Sequence, residues 1–164
     1  MAVARVHVRS WQVAYRTLMP DEYLDQLRPE DRAPRYTFGS PDPLKPWTIV
    51  AIEGGTIHGF ATSGFATRGF ARDPELSNHG ELYALYVDPD QWGRGIGFAL
   101  ASAARARLVD LGCRQAILWV LAGNVRAERV YLKDGWATDG GRRTEVVWGA
   151  KCDEIRYRRS LETR

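Results

Sequence analysis

The residues from Glu81 to Leu100 constrain this chain most, because they set a strand, a stop, a glycine-rich turn and a helix start end to end. Leu82 to Val87 is apolar and aromatic, and short enough to be one buried strand. Asp88-Pro89-Asp90 stops it, since proline has no N–H for a ladder and restricts the residue before it. Gly93, Gly95 and Gly97 follow, with Arg94 between two of them, and a helical run then begins. A turn of this kind ahead of a helix is an anion site. Free N–H groups at the helix start point outward, the helix dipole favours negative charge, and glycines let phosphate oxygens approach the backbone. The expected ligand is a nucleotide-type cofactor carrying a pyrophosphate.

Two common phosphate motifs do not fit. No Gly-Lys-Ser/Thr follows the turn to hold a nucleotide and its magnesium ion. The dinucleotide fingerprint needs GxGxxG, whereas Gly93, Gly95 and Gly97 are evenly spaced and Leu100 follows at the wrong distance. A second ordered pattern lies downstream. Leu118-Trp119-Val120 reads as a strand, and Asn124, Ala127, Tyr131, Gly135 and Trp136 follow it.

Together these two patterns resemble the GNAT superfamily of N-acetyltransferases. Its members carry a strand ending in Val-x-Pro, then a Gln/Arg-x-x-Gly-x-Gly/Ala turn, and later Asn-x-x-Ala-x-x-x-Tyr followed by Gly-Phe. Val87-Asp88-Pro89, Gly95-Ile96-Gly97 and Asn124 to Tyr131 match. Trp136 stands in for the Phe, and Trp92 occupies the Gln/Arg position, with Gln91 one residue early. The resemblance runs from about Ala4 to Leu161. It implies an α/β (α+β) fold with a mixed, mostly antiparallel central sheet flanked by about four helices. Family members also place a strand ahead of the first helix, where this chain has only a few residues. The first edge strand is therefore expected to be missing or shortened, or the natural start lies upstream. An uncovered edge would invite a second copy, giving a homodimer.

The same resemblance implies acetyl-coenzyme A as cosubstrate, with no metal. Backbone groups of Leu85, Tyr86 and Val87 would hold pantetheine and the acetyl carbonyl, with Val87 N–H as oxyanion donor. The pyrophosphate would lie on the amides from Gly93 through Arg94, Gly95, Ile96 and Gly97 to Phe98, beside Trp92. Arg94 would add charge there or point into solvent. Asn124 and Ala127 would border the cofactor, Asn124 also serving as a helix N-cap. Tyr131 has a phenol able to protonate the leaving thiolate, or it is a buried wall residue. Glu81, at the head of the central strand on the face of Tyr83 and Leu85, is where several members keep a general base. Desolvation there would raise its pKa toward a useful value. The bland alternative is a solvated or ion-paired strand-end glutamate, and His79 is a substitute base.

The 164 residues suffice for a single domain with a sizeable core, and no linker or repeat divides 1–164. A net charge of +3 suits an anionic cofactor and falls short of the basic face of a dedicated nucleic-acid binder. Cys113 and Cys152 have neither C-x-x-C nor zinc spacing, and read as packed or surface thiols. No apolar run has membrane-spanning length and no signal peptide is evident, so a cytoplasmic location is expected.

Along the chain, Ala4, Val8, Trp11, Tyr15 and Leu18 recur at helical spacing. Trp11 and Tyr15 are core or an aromatic acceptor wall. Pro20-Asp21 opens a short helix bearing Tyr23, Leu24 and Leu27. Residues 37–46 read as a loop. Trp47 to Glu53 and Thr56 to Ala66 form a hairpin across Gly54-Gly55, and 67–79 reads as a polar loop able to touch an acceptor or simply solvated. Ile96, Leu100, Ala103, Leu108 and Leu111 give the next helix its inner stripe, ended by Gly112. Gln115 to Leu121 is a buried strand. Asp134-Gly135 ends the Tyr131 helix. Thr144 to Trp148 and Glu154 to Leu161 are closing strands, connected through Gly140-Gly141.

These expectations favour transfer of an acetyl group to a primary amine of a small molecule, protein or peptide, with no membrane partner. Two other readings are a noncatalytic acyl-coenzyme A sensor that binds a partner protein, and an acetyltransferase acting on aminoacyl-tRNA. The latter needs more than Arg156, Arg158 and Arg159.

Overall fold

The computed structural model describes residues 1–36, 38–66, 76, 78–147 and 149–162. The expected polar loop at 67–79 therefore lies largely outside the described residues. Among the described residues five α-helices and six strands follow one another as α1 (Ala2–Ala14), α2 (Asp21–Asp25), α3 (Pro29–Arg32), β1 (Trp47–Glu53), β2 (Thr56–Phe65), β3 (His79–Val87), α4 (Ile96–Asp110), β4 (Gln115–Leu121), α5 (Val125–Lys133), β5 (Ala137–Val147) and β6 (Ala150–Ser160). Among the described residues no strand precedes α1, and no helix is long and apolar enough to cross a membrane.

The strands form one sheet in the order β1-β2-β3-β4-β6-β5. All neighbours are antiparallel except β3 and β4, which are parallel because α4 carries the chain back across the sheet. Two glycines let α4 lie close. A Cβ at Gly59 would sit 2.9 Å from Leu100, and one at Gly80 would sit 2.8 Å from Leu108. The inner stripe of α4 is Leu100, Ala101, Ala104 and Leu108, whereas Ala103 is exposed. At 100° per residue Ala103 falls outside the arc centred on Leu100 and Leu108, which corrects the expected stripe. Helix α1 covers the other face of β2 and β3. Its Val8 and Trp11 pack with Tyr15, Met19, Leu24 and Leu27 in one cluster, and Val3 and Val6 pack on Phe60 in another.

Glycine closes both helices beside the cleft. After α4, Gly112 (φ +83°) bonds Val109 O while Cys113 bonds Leu108 O. After α5, Gly135 (φ +82°) bonds Leu132 O while Trp136 bonds Tyr131 O. Both are the paired 5→2 and 6→1 bonds of a left-handed cap.

Gly140-Gly141 is not a connection. It lies inside β5, where the pairing with β6 shifts between Thr138 and Arg142. Gly140 takes φ +84°, the Asp139 carboxylate accepts the Gly141 N–H, and the missing Cβ of Gly141 makes room for Arg156. The glycines thus make a bulge that bends the strand. β6 begins at Ala150, directly after Gly149 at φ +90°.

Candidate active site

Two irregularities in β3 build the site. The first is a bulge at Tyr83. Thr62 pairs with Ala84 but Ser63 pairs with Leu82, so Tyr83 is the extra residue and side-chain alternation reverses across it. Gly80 and Leu82 face α4, as do Leu85 and Val87 beyond the bulge. Glu81 faces the opposite side, so the expectation that Glu81 and Leu85 share a face is corrected. The second irregularity is a parting of strands. β3 pairs with β4 only from His79–Gln115 to Leu82–Leu118, although β4 pairs with β6 along its whole length. Beyond Leu82 the strands diverge and leave a cleft.

The register shows what faces it. Asp88 N–H bonds His58 O at 2.7 Å. In an antiparallel ladder that makes Tyr86–Phe60 a bonded pair, and turns the N–H and C=O of Leu85 and Val87 away from β2, into the cleft. Tyr86 therefore offers its side chain rather than its backbone. The Val87 carbonyl accepts from Ser10 Oγ (2.9 Å) and from Trp92 Nε1 (2.9 Å), which leaves its N–H directed at the gap. Arg9 holds the turn that follows, reaching Asp88 at 2.8 and 3.0 Å and Asp90 at 2.6 Å.

At the mouth of the cleft, Gly93 (φ +80°) and Gly95 (φ +81°) take the left-handed conformation that glycine permits, with open space where a Cβ would stand. Gly95 is the N-cap of α4 and has no side-chain cap. The first helical bond runs from Ala99 N to Gly95 O, so the amides of Ile96, Gly97 and Phe98 have no intrahelical acceptor. A Cβ at Gly97 would meet Val87 and Leu85 at ordinary contact distance, so the turn lies beside those two residues. Phe98 turns its ring outward. Arg94 is held by Gln91 Oε1 and by Glu53 Oε2 (3.4 Å).

Helix α5 forms the far wall. Asn124 Oδ1 accepts the Ala127 N–H at 3.2 Å, capping the helix, and Ala127 and Tyr131 pack into the α4-side core. Tyr131 packs on the rings of Trp136 and Tyr157, and the buried Asp134 follows it at the end of α5. That carboxylate accepts from Arg105 and from Trp136 Nε1 (2.9 Å) and pairs with Arg159 at 3.5 Å. Burial raises the Tyr131 phenol above its ordinary pKa, with Tyr86 and Asp134 adding to the effect. Tyr15 is raised for the same reason, with Tyr86 and Tyr131 adding to the effect. The phenols of Tyr15 at the C-cap of α1, Tyr86 of β3 and Tyr131 of α5 thus lie within electrostatic reach of one another. Trp11 of α1 and Tyr15 at its C-cap are core residues, and His7 stacks on Tyr86 at 4.4 Å.

Glu81 is 7% exposed, and burial pushes its carboxyl up to about 7, against Arg143 and with Glu154. Those two residues form an ion pair at 2.7 Å, and Arg143 lies 4.1 Å from the Trp119 ring. His79 Nε2 lies 3.1 Å from Gln115 Oε1, at the strand's start. Of the C-terminal arginines, Arg156 and Arg158 pair with Asp139 and Arg159 with Asp134. The structure therefore brings Leu85, Val87, Gly93 to Phe98, Asn124, Ala127 and Tyr131 to one cleft, and sets Glu81 on the reverse face where the strands are still joined. Ser10 and Asp134 had no motif to announce them. Only the helical spacing Val3, Val6, Ser10 hints that Ser10 points inward.

The family model described as "Acetyltransferase (GNAT) family" matches residues 4–136. The Bacillus subtilis protein described as "Uncharacterized N-acetyltransferase YuaI" is 30% identical over 122 residues, 74% of this chain and 66% of that protein. Mycothiol acetyltransferase of Geodermatophilus obscurus is 42% identical over 69 residues, 42% of this chain and 21% of that protein. The chain thus covers less than two thirds of the length of either relative. The PaiA N-acetyltransferase of Thermoplasma acidophilum, solved in complex with coenzyme A, has a TM-score of 0.67 at 20% identity, with 97% of this chain and 91% of that chain covered. At that identity the likeness is one of fold.

Proposed function

Because the chain belongs to the acetyltransferase (GNAT) family, we propose that it transfers an acetyl group from acetyl-coenzyme A to a primary amine of a small molecule or peptide. The observation that carries this reading is the edge of β3 at Leu85 and Val87, which β4 no longer pairs, set beside the glycine turn. Acetyl-coenzyme A, when bound, supplies the activated acyl group, the thiol leaving group and the pyrophosphate. The chain's own residues supply position and proton management.

The amides from Gly93 to Phe98 bind the anionic end, aided by the α4 dipole. Val87 N–H, with its carbonyl already occupied by Ser10 and Trp92, is a fixed donor for developing negative charge. Glu81 takes a proton from the incoming ammonium, directly or through water, since a carboxyl near 7 is partly ionised at neutral pH and still basic enough to accept. Tyr131 holds a proton for the departing thiolate, and its raised pKa keeps it protonated until then.

Thermal unfolding with and without acetyl-coenzyme A, with NADH and ATP as controls, tests the cofactor. A ligand at a hundredfold its Kd adds about 2.7 kcal/mol, a shift of several degrees. A selective shift is expected, followed by thiol release in an amine screen. An equal response to all three ligands, or none at millimolar concentration, would overturn the reading.

A further inference from the structure

The motif position at which the family keeps Gln or Arg is filled here by Trp92, and its ring is not idle. It is pinned at one edge by the bond from Nε1 to the Val87 carbonyl (2.9 Å) and packs partly into the α4-side core. Over its face, 4.1 Å from the ring centroid, lies the guanidinium of Arg126, from the first turn of α5. The ring therefore bridges the two walls of the cleft, β3 and α5, in the residue immediately before Gly93.

The two arginines at this mouth differ. Arg94 is engaged by Gln91 and by the Glu53 carboxylate. Arg126 is solvent-exposed, among the described residues no carboxylate pairs with it, and its guanidinium rests on the indole face. A guanidinium stacked on an aromatic ring keeps its in-plane N–H fork free for another group, and the fork matches the oxygens of a phosphate. The stack also reduces the conformational freedom that an exposed arginine would otherwise lose on binding.

We propose that Trp92 holds Arg126 as a fixed cation at the mouth of the cleft, where its guanidinium takes a phosphate group of the nucleotide cosubstrate. Trp92 is then a positioning residue and Arg126 a binding residue. The inference rests on the reading of the cleft as a coenzyme A site. Two phosphates share this chemistry, the diphosphate and the 3′-phosphate on the ribose.

Calorimetric titration of the full chain with coenzyme A and with 3′-dephospho-coenzyme A tests it. Arg126→Gln should weaken coenzyme A about three- to tenfold, and the difference should shrink as salt is raised. Loss of that difference with the dephospho ligand assigns the 3′-phosphate, and its persistence assigns the diphosphate. Trp92→Leu should weaken binding and should make a further Arg126→Gln change nearly silent, whereas Trp92→Phe, which keeps an aromatic face, should retain the Arg126 effect. Because Arg126 is exposed, its substitution leaves the fold intact, which the unfolding temperature of the free variant checks. Equal affinity of Arg126→Gln and the unmodified chain for both ligands would overturn the inference and leave the proposed function standing. No binding of either ligand by the unmodified chain would overturn both.

Discussion

Glu81 and Leu85 are four residues apart on one strand, yet they face opposite sides of the sheet. The bulge at Tyr83 inverts the alternation between them. Leu85 looks toward α4 and the glycine turn, while Glu81 looks toward the Arg143–Glu154 pair. The Glu81 carboxyl and the glycine turn are thereby kept on different faces of the sheet.

Glu81→Gln should lower kcat about a hundredfold or more, the range for loss of a general base. It should also remove the acid limb of the rate profile, which in the unmodified chain rises through a pH of about 7 as Glu81 ionises. Stability gives an independent check. Glu81 binds its proton more tightly folded than unfolded, so its effect is neutral below the unfolded pKa, and stability falls as pH rises from about 4.5 to about 7. At about 1.4 kcal/mol per unit the loss is about 3 kcal/mol. Urea unfolding should show the glutamine variant without this slope and more stable than the parent at pH 8. A parallel slope in both proteins would remove Glu81 as its source.

Tyr131→Phe should reduce kcat at least tenfold with little change in coenzyme A affinity, since the ring and its packing on Trp136 and Tyr157 are kept. Steady-state kinetics beside calorimetry separates the two. Near-normal turnover would leave Tyr131 a wall residue.

Gly95→Ala should destabilise the fold by about 1 kcal/mol, because φ +81° is strained for any residue with a Cβ. Gly97→Ala should be near neutral in stability, since its Cβ would meet Val87 and Leu85 at 3.7 and 3.8 Å. Gly95→Glu should also weaken acetyl-coenzyme A, through like charge at the turn. Unfolding midpoints and Kd values for the three variants test the contrast.

Asp134→Ala should cost about 3–5 kcal/mol, the range for breaking a buried ion pair by removing one partner. Arg105 and Arg159 would lose their shared carboxylate, and Trp136 its acceptor. Asp134→Asn, which keeps an acceptor for Trp136, should be milder. Equal losses in the two variants would show that charge contributes nothing there.

Where a single local rule governs, the chain was readable. β1 and β4 begin and end where their apolar runs do, and Gly54-Gly55 turns the first hairpin. Gly112 and Gly135 cap helices, and Gly95 opens one. What was not readable depends on partners distant in sequence. Gly140-Gly141 has the composition of a loop, and only the side chain of Arg156 and the pairing with β6 make it a bulge. Tyr83 bulges because of its register with β2, which no local pattern encodes. Trp92 matched no motif residue, and its role comes from Val87 on one side and Arg126 on the other. α3 and the 3₁₀ turn Ala33–Arg35 fell in a stretch with no clear periodicity.

The parting of β3 from β4 has a mechanical consequence. Among the described residues, four pairs, from His79–Gln115 to Leu82–Leu118, make the seam between the β1–β2–β3 plate and the β4–β6–β5 plate. Each plate is stitched within itself along full-length strands, so strain applied across the molecule concentrates on that short seam. A ligand with amides of its own, lying between Leu85–Val87 and β4, would lengthen the seam from one end and make two plates behave as one.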